Sequence, residues 1–146
     1  MSSKTSLLVG ATFALATTIA LASGSAQDGA TSTSNDGVYT KAQADRAKAQ
    51  YTKMCADCHP FNVAAKKKPD DVLLGDEPFV KAWDGRTLAE MLTTIVMTMP
   101  NDGSGEVSDA EGVDLVAYIL QQNGYPAGSR PLTRAGASGV VLKPRK

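Results

Sequence analysis

The stretch Tyr51-Thr52-Lys53-Met54-Cys55-Ala56-Asp57-Cys58-His59-Pro60 contains the five residues on which the reading of this chain turns, Cys55-Ala56-Asp57-Cys58-His59. C-x-x-C-H is the attachment signature of a c-type haem. Two thiols three positions apart lie on one helical turn, within reach of the two vinyl groups on one porphyrin edge. The His that follows turns inward, where its imidazole can bind iron from the proximal side. His59 is the only histidine of the chain, and Cys55 and Cys58 are its only cysteines.

Other chemistries fit this motif less well. A zinc site takes four ligands, and one His with two Cys falls short. A thioredoxin-like C-x-x-C needs a βαβ setting, and none is visible around Tyr51–Phe61. A structural disulfide between cysteines one turn apart is a poor staple. Covalent haem is therefore favoured over a haem-free dithiol or disulfide.

Upstream of the motif, Lys4 begins a short positive region, followed by the uncharged, mostly apolar Ser6–Ala22 and by Gly24-Ser25-Ala26. That order is the pattern of a secretory signal cleaved after about Ala26. The apolar run approaches the lower length limit of a membrane span, but Thr and small residues dilute it, so cleavage is expected over a retained anchor. Export and covalent haem support each other, because attachment to C-x-x-C-H is expected outside the bacterial cytoplasmic membrane. We therefore expect a periplasmic protein with residues 1–26 as signal, 27–39 as a flexible leader rich in Ser, Thr, Gly and Asp, 40–128 as the domain and 129–146 as a basic tail.

Fifteen Lys and Arg balance fifteen Asp and Glu, giving a formal net charge of zero. The distribution is uneven: residues 130–146 hold Arg130, Arg134, Lys143, Arg145 and Lys146 and no acid. The domain proper is thus acidic, which does not suggest a nucleic-acid binder. The run Lys66-Lys67-Lys68 and the basic tail are candidate docking patches, although charge runs are usually solvated faces.

Three helices announce themselves by the capping box S/T-x-x-E/Q, at Thr40 with Gln43, Thr87 with Glu90 and Ser108 with Glu111. The first spans about Lys41–Met54 and runs directly into the haem motif. The second, about Leu88–Met97, places Leu88, Met91, Leu92 and Ile95 at helical spacing and stops near Pro100. The third, about Asp109–Gln122, carries Val113, Val116, Ala117 and Leu120 on one stripe and ends at Asn123-Gly124. No alternating run long enough for a sheet is present, so the fold is expected to be all-α, with loops wrapped around a cofactor.

Methionine is the natural candidate for the other axial position of iron. Met1 leaves with the signal, Met54 adjoins the attachment cysteine, and Met91 lies on a predicted buried face. Met99 is favoured over the runner-up Met97 because it precedes Pro100, where the backbone turns extended and a thioether can cross a flat macrocycle. If both were core methionines, iron would be five-coordinate.

The stretches Trp83-Asp84-Gly85-Arg86-Thr87-Leu88-Ala89-Glu90, Thr98-Met99-Pro100 and Ser108–Gly128 together resemble a small class I c-type cytochrome. The group most similar is that of periplasmic cytochromes c associated with quinoprotein (PQQ-dependent) dehydrogenases, and the resemblance covers about Val38–Gly128. It implies His/Met ligation by His59 and Met99, crossing first and third helices, and Trp83 beside a haem propionate. Arg86 is a second candidate propionate contact, although a solvated arginine is the default. Three departures stand out. Pro60 follows the haem His where Gly is usual, and Ala47 stands where Gly often permits helix crossing. The Gly-Pro-x-Leu segment that supplies a carbonyl to the ligand His is also missing between Phe61 and Phe79, leaving Pro69 or a neighbouring carbonyl to substitute.

The function expected is therefore a monomeric, non-enzymatic one-electron carrier with one haem c. Its donor and acceptor would be redox proteins, such as a quinoprotein dehydrogenase and a terminal oxidase or other cytochrome. The alternatives are a gas-binding or sensing cytochrome with an open distal site and a haem-free C-x-x-C thiol redox protein.

Overall fold

All three predicted capping boxes form, each in both directions. The hydroxyls of Thr40, Thr87 and Ser108 accept from the amides of Gln43, Glu90 and Glu111, whose side chains return to the cap amides. A computed structural model describes residues 31–146; the signal segment, including Met1, and leader residues 27–30 lie outside the described residues. The elements in chain order are β1 (Ser32–Thr33), α1 (Lys41–Met54), α2 (Asp76–Trp83), α3 (Leu88–Thr98), α4 (Asp109–Gln122), α5 (Arg134–Ala137) and β2 (Val140–Val141), with a single 3-10 turn at Val63–Ala65. The architecture is helical, and no helix among the described residues is long and apolar enough to cross a membrane.

Helices α1 and α4 form the principal packing pair. Ala44 and Ala47 on α1 meet the apolar face of α4, where Val116, Ala117 and Leu120 are fully buried. Two small residues on α1 allow the backbones to approach, so Ala47 serves where a glycine was expected. Arg46 clamps the exposed side of the crossing by donating from Nε and Nη2 to both oxygens of Asp114, each at 2.8 Å. Helix α3 rests on α4 at Gly112, where a Cβ would stand 2.7 Å from Leu92 Cδ1 and Val96 Cγ2.

Helix α2 was not anticipated. It is two turns long, starts from Gly75 without a side-chain cap, and carries Pro78 at its third position. Proline is tolerated in a first turn because amides there have no intrahelical acceptor. Asp76 and Glu77 complement the positive end of the helix dipole, and Phe79 is buried. Gly75 is required for a separate reason: a Cβ there would lie 1.9 Å from the Phe61 carbonyl oxygen.

The ends of the chain correct a second expectation. Within the described residues, neither the leader nor the tail is a loose extension. Ser32 and Thr33 pair in parallel with Val140 and Val141. Leu132, Ala137, Val140 and Leu142 join the core, and so does Tyr39. Gln43, already part of a capping box, also donates to the Leu132 carbonyl and accepts from its amide, both at 2.8 Å. The tail's charges are partly neutralised, since Arg134 pairs with Asp109 and Lys143 lies 3.3 Å from Asp84. Beyond β2 the tail holds the corner before α3: Gly85 donates to the Leu142 carbonyl at 2.9 Å, and Leu142 donates to that of Arg86 at 2.8 Å.

Candidate functional site

The C-terminus of α1, the loop that follows it, α2, α3 and α4 enclose one apolar cavity of about 810 Å³ including its open mouth. Cys55, Cys58, His59, Trp83 and Met99 all line it, brought together from three separate stretches of sequence. Met54 and Met91 line it too, as do Leu74, Phe79, Ile95 and Leu115. Met97 does not, and the residue is 74% exposed.

Cys55 is the C-cap of α1 and is half-buried, whereas Cys58 is exposed at the rim. Burial pushes the Cys55 thiol above its ordinary range. A thiol at the negative end of a helix gains no help toward ionisation either. A redox-active dithiol needs the opposite setting, with a stabilised thiolate, so the geometry speaks against thiol chemistry.

His59 Nδ1 lies 3.1 Å from the Val72 carbonyl oxygen. A carbonyl only accepts, so Nδ1 carries the proton and Nε2 is left free as a metal ligand. The carbonyl partner is thus Val72. Pro69, the sequence-based candidate, has its own carbonyl engaged by Lys66 Nζ at 3.0 Å. Two backbone bonds hold the loop in register with the His59 segment, from Val72 N to Cys58 O at 2.9 Å and from Leu74 N to Pro60 O at 3.0 Å.

The lysine run is folded into this loop rather than displayed as a uniform patch. Lys67 pairs with Asp57 at 2.6 Å, and its hydrogen bond holds the Asp57 carboxyl below its usual range. Asp71 Oδ2 accepts from the amides of Lys67 and Lys68 at 2.7 and 3.0 Å, which lowers its pKa.

On the other wall, Met99 is the C-cap of α3 with φ −118° and ψ 144°, the extended geometry expected before proline, and its amide still donates to Ile95. Arg86 does not line the cavity. Its guanidinium sits 4.2 Å over the Trp83 ring and Nε lies 3.3 Å from Glu90, so its link to the site runs through Trp83.

An apolar cleft with two thiols at one wall, a free imidazole nitrogen and a thioether suits a flat, apolar iron macrocycle. The model of the family described as cytochrome c oxidase, cbb3-type, subunit III matches residues 42–119, more than half of the chain. The chain belongs to this family. No curated protein and no solved structure matched it. As a member of this c-type cytochrome family, the protein has a small all-α cytochrome c fold, carries covalently bound haem c and serves as an electron carrier between redox partners. The match ends before the tail, so the clasp formed by residues 132–146 lies outside the region that the family model covers.

Proposed function

We propose that this cytochrome is a periplasmic, monomeric one-electron carrier in which His59 and Met99 are the axial ligands. One observation carries the ligand assignment. His59, with Nδ1 engaged by Val72, and Met99, extended at the end of α3, line the same cavity, while Met97 faces outward. When bound, the haem supplies a one-electron iron couple. Cys55 and Cys58 anchor it through thioethers at the mouth of the cleft. Val72 keeps the His59 proton on Nδ1 and directs Nε2 inward. Met99 offers a soft thioether, which favours the reduced state relative to a second imidazole. Phe79, Leu115 and their apolar neighbours exclude water, which disfavours the extra charge of the oxidised state. With both axial positions filled by side chains, no position is left for substrate, which supports a carrier over a gas-binding or catalytic role.

The N-terminal signal pattern supports export, and a new N-terminus near Gln27 in the mature protein is the expected result. The family description favours a terminal oxidase as electron acceptor, and the resemblance to cytochromes associated with quinoprotein dehydrogenases favours such an enzyme as donor. Contact is expected at the mouth of the cleft, where Cys58 is exposed. The ligand assignment is tested by Met99→Ala, which should abolish the weak near-infrared sulfur-to-iron band and admit carbon monoxide. Met97→Ala should leave both unchanged. The reverse pattern would transfer the role to Met97.

A further inference from the structure

The carbonyls on either side of His59 go to the same place: those of Cys58 and Pro60 accept from the amides of Val72 and Leu74. The carbonyl of His59 itself departs from that pattern and accepts from the Tyr51 hydroxyl. Tyr51 lies on the last full turn of α1, is 3% exposed and lines the cavity. Its ring is fixed on two sides, stacked on Phe61 at 4.8 Å and 21° and tilted against Tyr118 at 5.0 Å. The hydroxyl therefore has little freedom to point elsewhere.

From this geometry we infer that Tyr51 is a positioning residue for the proximal ligand. Its hydroxyl pins the backbone of His59 to α1, so that the imidazole stays in register with the Val72 carbonyl. The inference rests on His59 being the axial ligand. Two contacts on opposite sides of one residue act as a vice. Val72 fixes the ring, Tyr51 fixes the main chain that carries the ring, and neither alone sets the plane of the imidazole. The consequence reaches the iron through ligand basicity, because a firm Nδ1–H···O bond makes the imidazole a stronger donor and favours the oxidised state.

The test uses the haem-loaded protein. Tyr51→Phe retains the ring stack and deletes only the donor, while Tyr118→Phe deletes a hydroxyl from the same cluster that makes no bond to the 58–60 segment. Tyr51→Phe should raise the reduction potential. It should also speed exchange of the His59 Nδ1 proton by roughly three- to tenfold, the factor that one net hydrogen bond contributes to an opening equilibrium. Tyr118→Phe should change neither, and 4-aminophenylalanine at position 51, which keeps a donor, should restore wild-type values. If Tyr51→Phe does not load haem, recovery of loading by the amino variant supports the inference, and failure to recover overturns it. Equal potentials and exchange rates for wild type and Tyr51→Phe also overturn it, as does an equal shift from Tyr118→Phe. Paramagnetic NMR separates this failure from a wrong ligand assignment. His59 ring protons with no hyperfine shift in the oxidised protein would remove both readings, whereas shifted protons unaffected by Tyr51→Phe would remove only this one.

Discussion

The two walls of the cleft are built to different standards. On the His59 side, backbone bonds at Cys58 and Pro60, a carbonyl on Nδ1 and a buried tyrosine hydroxyl converge on three consecutive residues. On the Met99 side the cap and the backbone clasp lie at one end only. The N-terminus of α3 is capped by Thr87 and clasped by Leu142, whereas its C-terminus opens into the exposed, glycine-containing run Asn101–Glu106. Low-stability segments are those with few buried contacts and exposed backbone bonds. The distal ligand should therefore be the first to detach under stress, while the proximal side holds until the domain unfolds.

Four experiments test this contrast. The largest effect is expected from Cys55→Ser combined with Cys58→Ser, which removes both tethers. Haem should then be lost completely on acid-acetone extraction, while the wild type retains it by intact mass.

Deleting residues 139–146 comes next. It strips Val140 and Leu142 from the core, at roughly 1.5–3 kcal/mol for each fully buried side chain, and frees the Gly85–Arg86 corner. The melting temperature should fall, and the near-infrared band should disappear at a lower temperature than the change in the absorption of the haem-bound proximal side. Simultaneous loss of both signals would show that the two walls fail as one unit.

Gly112→Ala is more local. Its methyl would press on Leu92 and Val96, and overpacking of this kind costs about 1–3 kcal/mol. Displacement of α3 should weaken the distal signal and leave the His59 proton exchange unaltered.

The smallest effect is expected from Asp71→Asn. Amide hydrogen bonds lower the Asp71 pKa in the folded state, so its stabilising effect is present above the ordinary carboxylate range and fades as pH falls through the lowered value. The variant should be less stable than wild type at neutral pH, and the gap should close in strong acid. A gap that persists unchanged at low pH would remove the carboxylate from the proximal loop's support.

Much of this site is legible in the sequence. C-x-x-C-H marks its own chemistry, and the three capping boxes placed α1, α3 and α4 to within a residue, with α3 ending at Thr98 rather than Met97. Met99-Pro100 forecast an extended backbone because proline constrains its predecessor locally. Harder to read were features without a side-chain code. The Val72 carbonyl is a backbone acceptor, which any residue type provides. Helix α2 was hidden by Pro78, which reads as a breaker unless its place in the first turn is known. The signal available was Asp76-Glu77 ahead of Phe79, Val80 and Trp83 at helical spacing. The tail looked mobile because its charges dominate the eye, while Leu132, Val140 and Leu142, its buried residues, are sparse and widely spaced.

The clasp between the chain ends also governs time. Ser34 and Lys143, 109 positions apart, hydrogen-bond to each other through the Ser34 hydroxyl. β1 gains its strand partner only when residues 140–141 dock against it. Closing a loop of that length is a slow, non-local step. Until that loop closes, the Gly85–Arg86 corner that leads into α3 is unclasped. Local contacts such as the α1 capping box can form first, so the clasp is the late step that completes the cleft.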